Sequence, residues 1–249
     1  MKVRAKVAYD GTGFAGFQKQ ANARTVQGEL EAALEKVCER KISVVGAGRT
    51  DAGVHASGQV IAFDVVWVHS LEQLTRALTI NLTEDIAVSG LCECDAQFHP
   101  RFSAISRTYE YTAIVREVRD PLRQRFAWHL EHLPDVRWMN EAALHLVGSH
   151  DFAAFGSAPS GRDDEPTVRE VLRAAWRLVD EGETHTLIFT IEANAFLYRM
   201  VRRIVMALVR VGRGQLSPDG FREMLISRDA QRLKGLAPAC GLCLVDVKY

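Results

Sequence analysis

Gly46-Ala47-Gly48-Arg49-Thr50-Asp51-Ala52-Gly53-Val54-His55-Ala56 separates two apolar runs. Ile42-Ser43-Val44-Val45 before it reads as a strand, and Gln59-Val60-Ile61-Ala62-Phe63 after it reads as another. An aspartate between Gly48 and Gly53, beside an arginine and a threonine, has little steric cover. Glycines there let the backbone adopt unusual conformations and let a ligand come close. A simple turn in which Asp51 caps backbone amides is the plain alternative. Such a turn does not call for an Arg-Thr-Asp core with glycine on both sides.

Working outward, Lys2 to Tyr9 alternates, with Val3, Ala5, Val7 and Tyr9 on one face. That is the pattern of a half-buried antiparallel strand. Asp10 to Gln18 is a glycine-rich loop with Phe14 and Phe17, and it lacks the lysine of a phosphate-binding P-loop. Thr25 caps a helix striped by Val26, Leu30, Ala33, Leu34 and Val37. Ser70 and Gln73 form a capping box at the head of a second helix, and Ile86 to Cys94 is a strand. Strand, helix, strand, strand, helix, strand is the ferredoxin-like, or split βαβ, order.

The second half opens with a strand at Arg107 to Ile114, on which Tyr109, Tyr111 and Ala113 share a face. A helix is expected from Val136, striped as far as Val147 and stopped by Gly148. A polar loop from Ser157 to Pro166, strands at 168–179 and 185–192 joined through Glu181-Gly182-Glu183, a long helix through Leu197, Val201, Ile204, Leu208 and Val211, a helix opened by Ser217-Pro218, and a final strand at Leu242 to Val247 follow. The expected fold class is α+β: two ferredoxin-like (RRM-like) halves, 1–104 with the Asp51 loop and 105–249 with the Tyr109 strand and the arginine-rich helix.

The composition, 47% hydrophobic and 25% charged, is that of a globular protein, and no apolar run approaches a membrane span. The strand pattern begins at once, so no signal peptide is read and a cytoplasmic location is expected. The five cysteines, an odd number, do not suggest a disulfide framework. Cys240 and Cys243 have zinc-ligand spacing, but on a strand they would diverge, so no metal is expected.

Net charge is zero, yet its distribution is uneven. Ala193 to Pro218 contains no acid and holds Arg199, Arg202, Arg203, Arg210 and Arg213. Lys2, Arg4, Lys6, Lys19 and Arg24 form a second basic stretch, and Arg101, Arg107, Arg116, Arg119, Arg123 and Arg125 a third. Arginine suits bidentate phosphate contacts.

GRTDAGVHA resembles the catalytic loop of the tRNA pseudouridine synthase A family, and the similarity recurs along nearly the whole chain. It implies that two α/β halves join their sheets around a catalytic cleft, and that the enzyme isomerises uridine at tRNA positions 38, 39 and 40, in the anticodon arm. It also implies a homodimer without metal or cofactor. Asp51 matches the catalytic carboxylate, acting at ribose C1′ either as nucleophile or through its charge. Such a group, covered by substrate, needs a cation to stay ionised, and Arg202 matches that partner. Tyr109 matches the tyrosine that lies against the flipped base. Arg49 is expected to touch RNA or to help fill the space left by the extruded nucleotide; Arg199 and Arg203 are expected to bind RNA, and His55 is a weaker candidate, read as structural or as a phosphate contact. Two departures concern packing: Met206 where the family more often has glycine, and Pro100 where alanine is common.

Two other functions fit parts of the pattern. A non-catalytic RNA-binding module would use the arginines and aromatics but leave Asp51 unexplained, since an acid repels phosphate. A glycosidase would need a second carboxylate, which the loop does not contain.

Overall fold

The structure, a computed structural model, describes residues 1–157, 166–180, 182, 184–229, 233 and 235–249. It contains β1 (Lys2–Tyr9), α1 (Val26–Cys38), β2 (Val45–Gly46), β3 (His55–Asp64), α2 (Leu71–Asn81), β4 (Ile86–Glu93) and β5 (Ser106–Val115). Then come β6 (Trp128–Leu130), α3 (Val136–Leu144), β7 (Gly148–Asp151), β8 (Val168–Asp180), β9 (His185–Ala193), α4 (Met200–Gly212), α5 (Pro218–Ser227) and β10 (Leu242–Lys248). The fold is α+β, with mostly antiparallel strand pairs. The chain divides into two compact units, Met1–Ile105 with Cys243–Tyr249, and Ser106–Leu242.

In the first unit β1 lies between β3 and β4, antiparallel to both, as a split βαβ arrangement requires. Val3, Ala5, Val7 and Tyr9 are buried, and α1 and α2 contribute Leu30, Leu34, Leu74 and Leu78 to the same core. Each such leucine supplies about 1.5–3 kcal/mol by leaving water. Thr25 Oγ1 accepts the Gly28 amide at the head of α1. At α2, Ser70 Oγ accepts the Gln73 amide while Gln73 Oε1 accepts that of Ser70, closing the expected box.

Three boundaries differ from expectation. Of the run Ile42 to Val45, only Val45 pairs as strand, together with Gly46, though Ile42 and Val44 are buried. The final strand, expected with the second half, belongs to the first unit: Cys243 and Leu244 pair in parallel with His55 and Ala56 of β3. Cys240 lies in a 3-10 turn before β10 rather than on the strand.

In the second unit the strands run β5-β9-β8-β7, with β6 added in parallel to β5. Asp135 caps α3 by accepting the amides of Arg137 and Trp138. That helix stops at Leu144 rather than Val147. The amides of His145 and Leu146 turn back to Ala142 and Ala143, tightening the last turn, and Gly148 opens β7 at a φ of 107°. α3 packs against β8, α4 and α5. The polar loop expected from Ser157 to Pro166 lies, between its two end residues, outside the described residues, as do Glu181 and Glu183. Among the described residues no helix is long and apolar enough to cross a membrane.

Candidate active site

The Asp51 loop leaves β2 and enters β3 under backbone control from several directions. The Ala47 amide donates to Val60 O, the Val54 amide to Asp51 O, and the Phe17 amide to Thr50 O. Gln59, fully buried, donates from Nε2 to Gly48 O at 2.9 Å. The Tyr9 hydroxyl lies 2.8 Å from Thr50 Oγ1, in the core. Burial pushes the Tyr9 phenol well above its ordinary value, so it is a neutral hydroxyl shared with Thr50 and Gln59. Asp51 itself is half-buried, and Arg49 is exposed. The loop thus exposes an arginine and part of a carboxylate while its threonine is tied inward.

The glycine-rich loop after β1 is the second wall of this arrangement. A Cβ on Gly11 would lie 2.0 Å from Val54 O, so the two loops touch backbone to backbone. The Gly53 amide donates to Phe14 O. Within the Asp51 loop, Gly53 has a left-handed φ of 77°, whereas a Cβ on Gly48 would meet nothing within 4 Å.

His55 is 5% exposed, and its Nδ1 lies 3.0 Å from the Gly11 amide and 3.2 Å from Asp10 Oδ1. Asp10 Oδ1 already accepts from the amide and hydroxyl of Thr12. His55 Nδ1 accepts the Gly11 amide. The ring fastens the two loops together.

The second unit presents the other named residues. Tyr109 sits on β5 opposite Ile191 of β9, is 8% exposed, and meets Phe196 edge to face with ring centroids 5.0 Å apart. Tyr111, two residues on, is fully buried and donates to Pro238 O at 2.9 Å. It is core, and burial holds its phenol neutral. Arg202 on α4 is half-buried. Its Nε donates to Ala237 O at 2.8 Å, while its carbonyl accepts the Ala237 amide. The first bond holds the guanidinium against the chain at Ala237, and the second ties that stretch of backbone to α4.

Arg199 precedes α4 with a φ of 61°, uncommon for a residue other than glycine and costing about 1–3 kcal/mol. Its guanidinium lies over the Tyr198 ring, 4.7 Å from the centroid. Arg203 is half-buried on α4. Met206 lies beside Gly235, where a Cβ would stand at an ordinary contact distance of 3.6 Å from the methionine methyl.

The first unit thus collects Asp51, Arg49 and His55 on one loop, and the second collects Tyr109, Arg199, Arg202 and Arg203 at β5 and the start of α4. Sequence reasoning passed over Tyr9, Thr50, Gln59 and Phe196. The alternation of β1 marks Tyr9 as core, and nothing in it shows that its hydroxyl supports the Asp51 loop. Phe196 carries a faint signal, an aromatic just ahead of an apolar helix.

Several charges in the expected basic stretches are already committed. Arg24 bonds Asp85 at 2.7 and 3.0 Å, Glu29 at 2.9 Å and Thr83 at 2.9 Å, with Phe14 under its guanidinium. Lys19 pairs with Glu31 and Arg116 with Asp120. These are scaffold contacts. Among the described residues no group of acids, histidines and cysteines has a metal-binding arrangement.

The profile of a family described as tRNA pseudouridine synthase matches residues 5–103 and 142–249, which include Asp51, Arg49, His55, Arg199, Arg202 and Arg203. A relative from Thermosipho melanesiensis, named tRNA pseudouridine synthase A, is 42% identical over 243 residues, covering 97% of both chains. Proteins of the same name from Brevibacillus brevis and Bacillus pumilus are 41% and 39% identical, each over 100% of this chain and 99% of their own. One solved structure, a Cbf5-Nop10-Gar1 complex, aligns at 12% identity with a TM-score of 0.33 over 82% of this chain and 44% of that one, too remote to bear on fold or function. With a matching profile over most of its length and full-length relatives near 40% identity, the chain belongs to the tRNA pseudouridine synthase family.

Proposed function

We propose that the protein converts uridine to pseudouridine at positions 38, 39 and 40 of the tRNA anticodon arm, with Asp51 acting at ribose C1′. Isomerisation of uridine in tRNA is the family's reaction. The observation that carries the assignment to this residue is the half-buried Asp51 on a loop tethered by Tyr9, Gln59, His55 and the Phe17 amide. A carboxylate that attacks or stabilises a sugar cation gains from being held before the substrate arrives.

The reaction breaks the bond from C1′ to N1, turns the detached uracil, and joins C5 to C1′. N1 takes up a proton, and the proton at C5 leaves to solvent. Tyr109, with its ring supported edge-on by Phe196, is assigned the face of the flipped base. Arg202, oriented by Ala237, is assigned as the counter-cation of Asp51. Arg49, exposed beside Asp51, is assigned the RNA around the extruded nucleotide. Flipping a stacked uridine costs a few kcal/mol, which contacts to the phosphate backbone must recover. The protein works as a cytoplasmic homodimer and requires neither metal nor cofactor.

Unmodified tRNA carrying tritium at uridine C5 tests this. The wild type should release tritium without losing base, and Asp51→Asn should release none. Binding without release would instead indicate an RNA-binding module, and free uracil a glycosidase. Deuterium at ribose C2′ separates the two chemical routes: a primary isotope effect means proton removal from the ribose, and its absence means attack at C1′. A monomeric mass in solution at assay concentration would refute the dimer.

A further inference from the structure

We propose that the outer edge of α4, beyond Arg202, is a track for the sugar-phosphate backbone of the RNA, with Arg203, Arg210 and Arg213 as successive phosphate contacts. The proposal rests on tRNA being the substrate and names the surface that holds it away from the reacting nucleotide.

At about 100° per residue, Arg202, Arg203, Met206, Arg210 and Arg213 fall within a single arc of about 100° on the helix. The remainder of the circumference is apolar and buried, through Val201, Ile204, Val205, Leu208 and Val211. The arginines therefore lie along the half-exposed face of α4, beside the point where Gly235 and Ala237 pack on Met206 and Arg202. From Arg203 to Arg213 the row extends about 15 Å along the helix axis, at about 1.5 Å per residue.

Several basic residues elsewhere in the chain are already paired. Lys19, Arg24, Arg116 and Arg137 have carboxylates within 3.3 Å or less. Among the described residues, Arg203, Arg210 and Arg213 have no carboxylate within ion-pair distance. The carboxylate near the end of the helix, Asp135, whose amide bonds Gly212 O, is occupied by Arg137 at 2.8 Å.

Arg213 is exposed and its guanidinium stands over the Trp128 ring, 5.9 Å from the centroid. Trp128 is itself braced edge-on by Tyr111, so the outermost arginine rests on a fixed platform. Guanidinium groups along a rigid helix, with no carboxylate partner among the described residues, suit a polyanion, and Arg can grip phosphate oxygens in pairs. A polynucleotide backbone is such a partner.

The test is the salt dependence of tRNA binding, with the Asp51→Asn protein used so that substrate is not turned over, in the background of Arg210→Ala/Arg213→Ala and of Arg210→Lys/Arg213→Lys. Loss of two phosphate contacts should reduce the slope of log K against log salt by about 1.4–1.8. The lysine pair, which keeps both charges, should retain most of the slope. With Asp51 intact, the alanine pair should raise KM while kcat at saturating tRNA holds. An alanine pair with unchanged slope and unchanged KM would overturn the track. Absence of tritium release by the wild type would overturn the catalytic reading instead, and the slopes would still decide the track.

Discussion

Tyr9→Phe removes one oxygen from beneath the Asp51 loop. That oxygen lies 2.8 Å from Thr50 Oγ1, and the two residues are 5% and 6% exposed, so water does not take its place. The aromatic ring remains to fill its site against Phe17, with centroids 6.4 Å apart, so no cavity opens. The expected cost is a lost hydrogen bond plus a threonine hydroxyl with one partner fewer, together about 1–3 kcal/mol. For a chain of this size that corresponds to about 2–4 °C in Tm per kcal/mol. Thr50→Val removes the other half of the pair. Once either is made the second has less to lose, so the double variant should fall short of the summed losses by about 1 kcal/mol. Thr50 adjoins Asp51, so kcat for tritium release should fall about tenfold in either single variant, equivalent to about 1.4 kcal/mol of barrier, with KM little changed. Thermal melts and turnover of the four proteins in the cycle measure both effects. Strict additivity of the two losses, or full activity in both single variants, would refute the claim that this buried pair holds the loop.

Gly11→Ala places a carbon 2.0 Å from Val54 O, a clash that only backbone movement can relieve. A loss of about 3 kcal/mol or more is expected, and a wild-type melting temperature would contradict it. Asp85 is held below the usual carboxylate range first by the Arg24 hydrogen bonds, opposed by partial burial and assisted by Thr83. With the folded value below the unfolded one near 3.9, its stabilisation is present above that pH and is lost as pH falls through the folded value. Arg24→Gln should therefore flatten the decline of Tm between about pH 5 and pH 2, and calorimetric slopes identical to wild type would speak against it. Arg202→Lys keeps the charge but has no Nε–H for Ala237 O. It should reduce kcat at least tenfold, about 1.4 kcal/mol, with little change in tRNA affinity, and undiminished kcat would show that orientation of this group is unimportant.

Local signals carried most of the elements. Thr25, Ser70 with Gln73, and Ser217 ahead of Pro218 each cap the helix that their spacing predicts, because capping is settled within four residues. β6 and β7 were not anticipated, being three and four residues long and thus shorter than any periodic pattern. The placement of β10 beside β3 was equally invisible, since an apolar run does not specify its partner. At the candidate site, the residues Asp51 and Arg49 stood out through a long specific motif. Those that support it, Tyr9, Gln59 and Gly11, looked like ordinary core or turn residues, because their contribution depends on contacts distant in sequence.

The parallel neighbour of the strand that carries His55 and Ala56 is synthesised only after the entire second unit. On the ribosome, the His55–Ala56 end of β3 must therefore wait unpaired on that side, beyond the short pairing with β2, while residues 65–242 emerge and fold. The Asp51 loop opens directly onto that edge, so its final geometry is set late in biosynthesis, and damage to the last few residues would disturb the loop without touching Asp51 or Arg49.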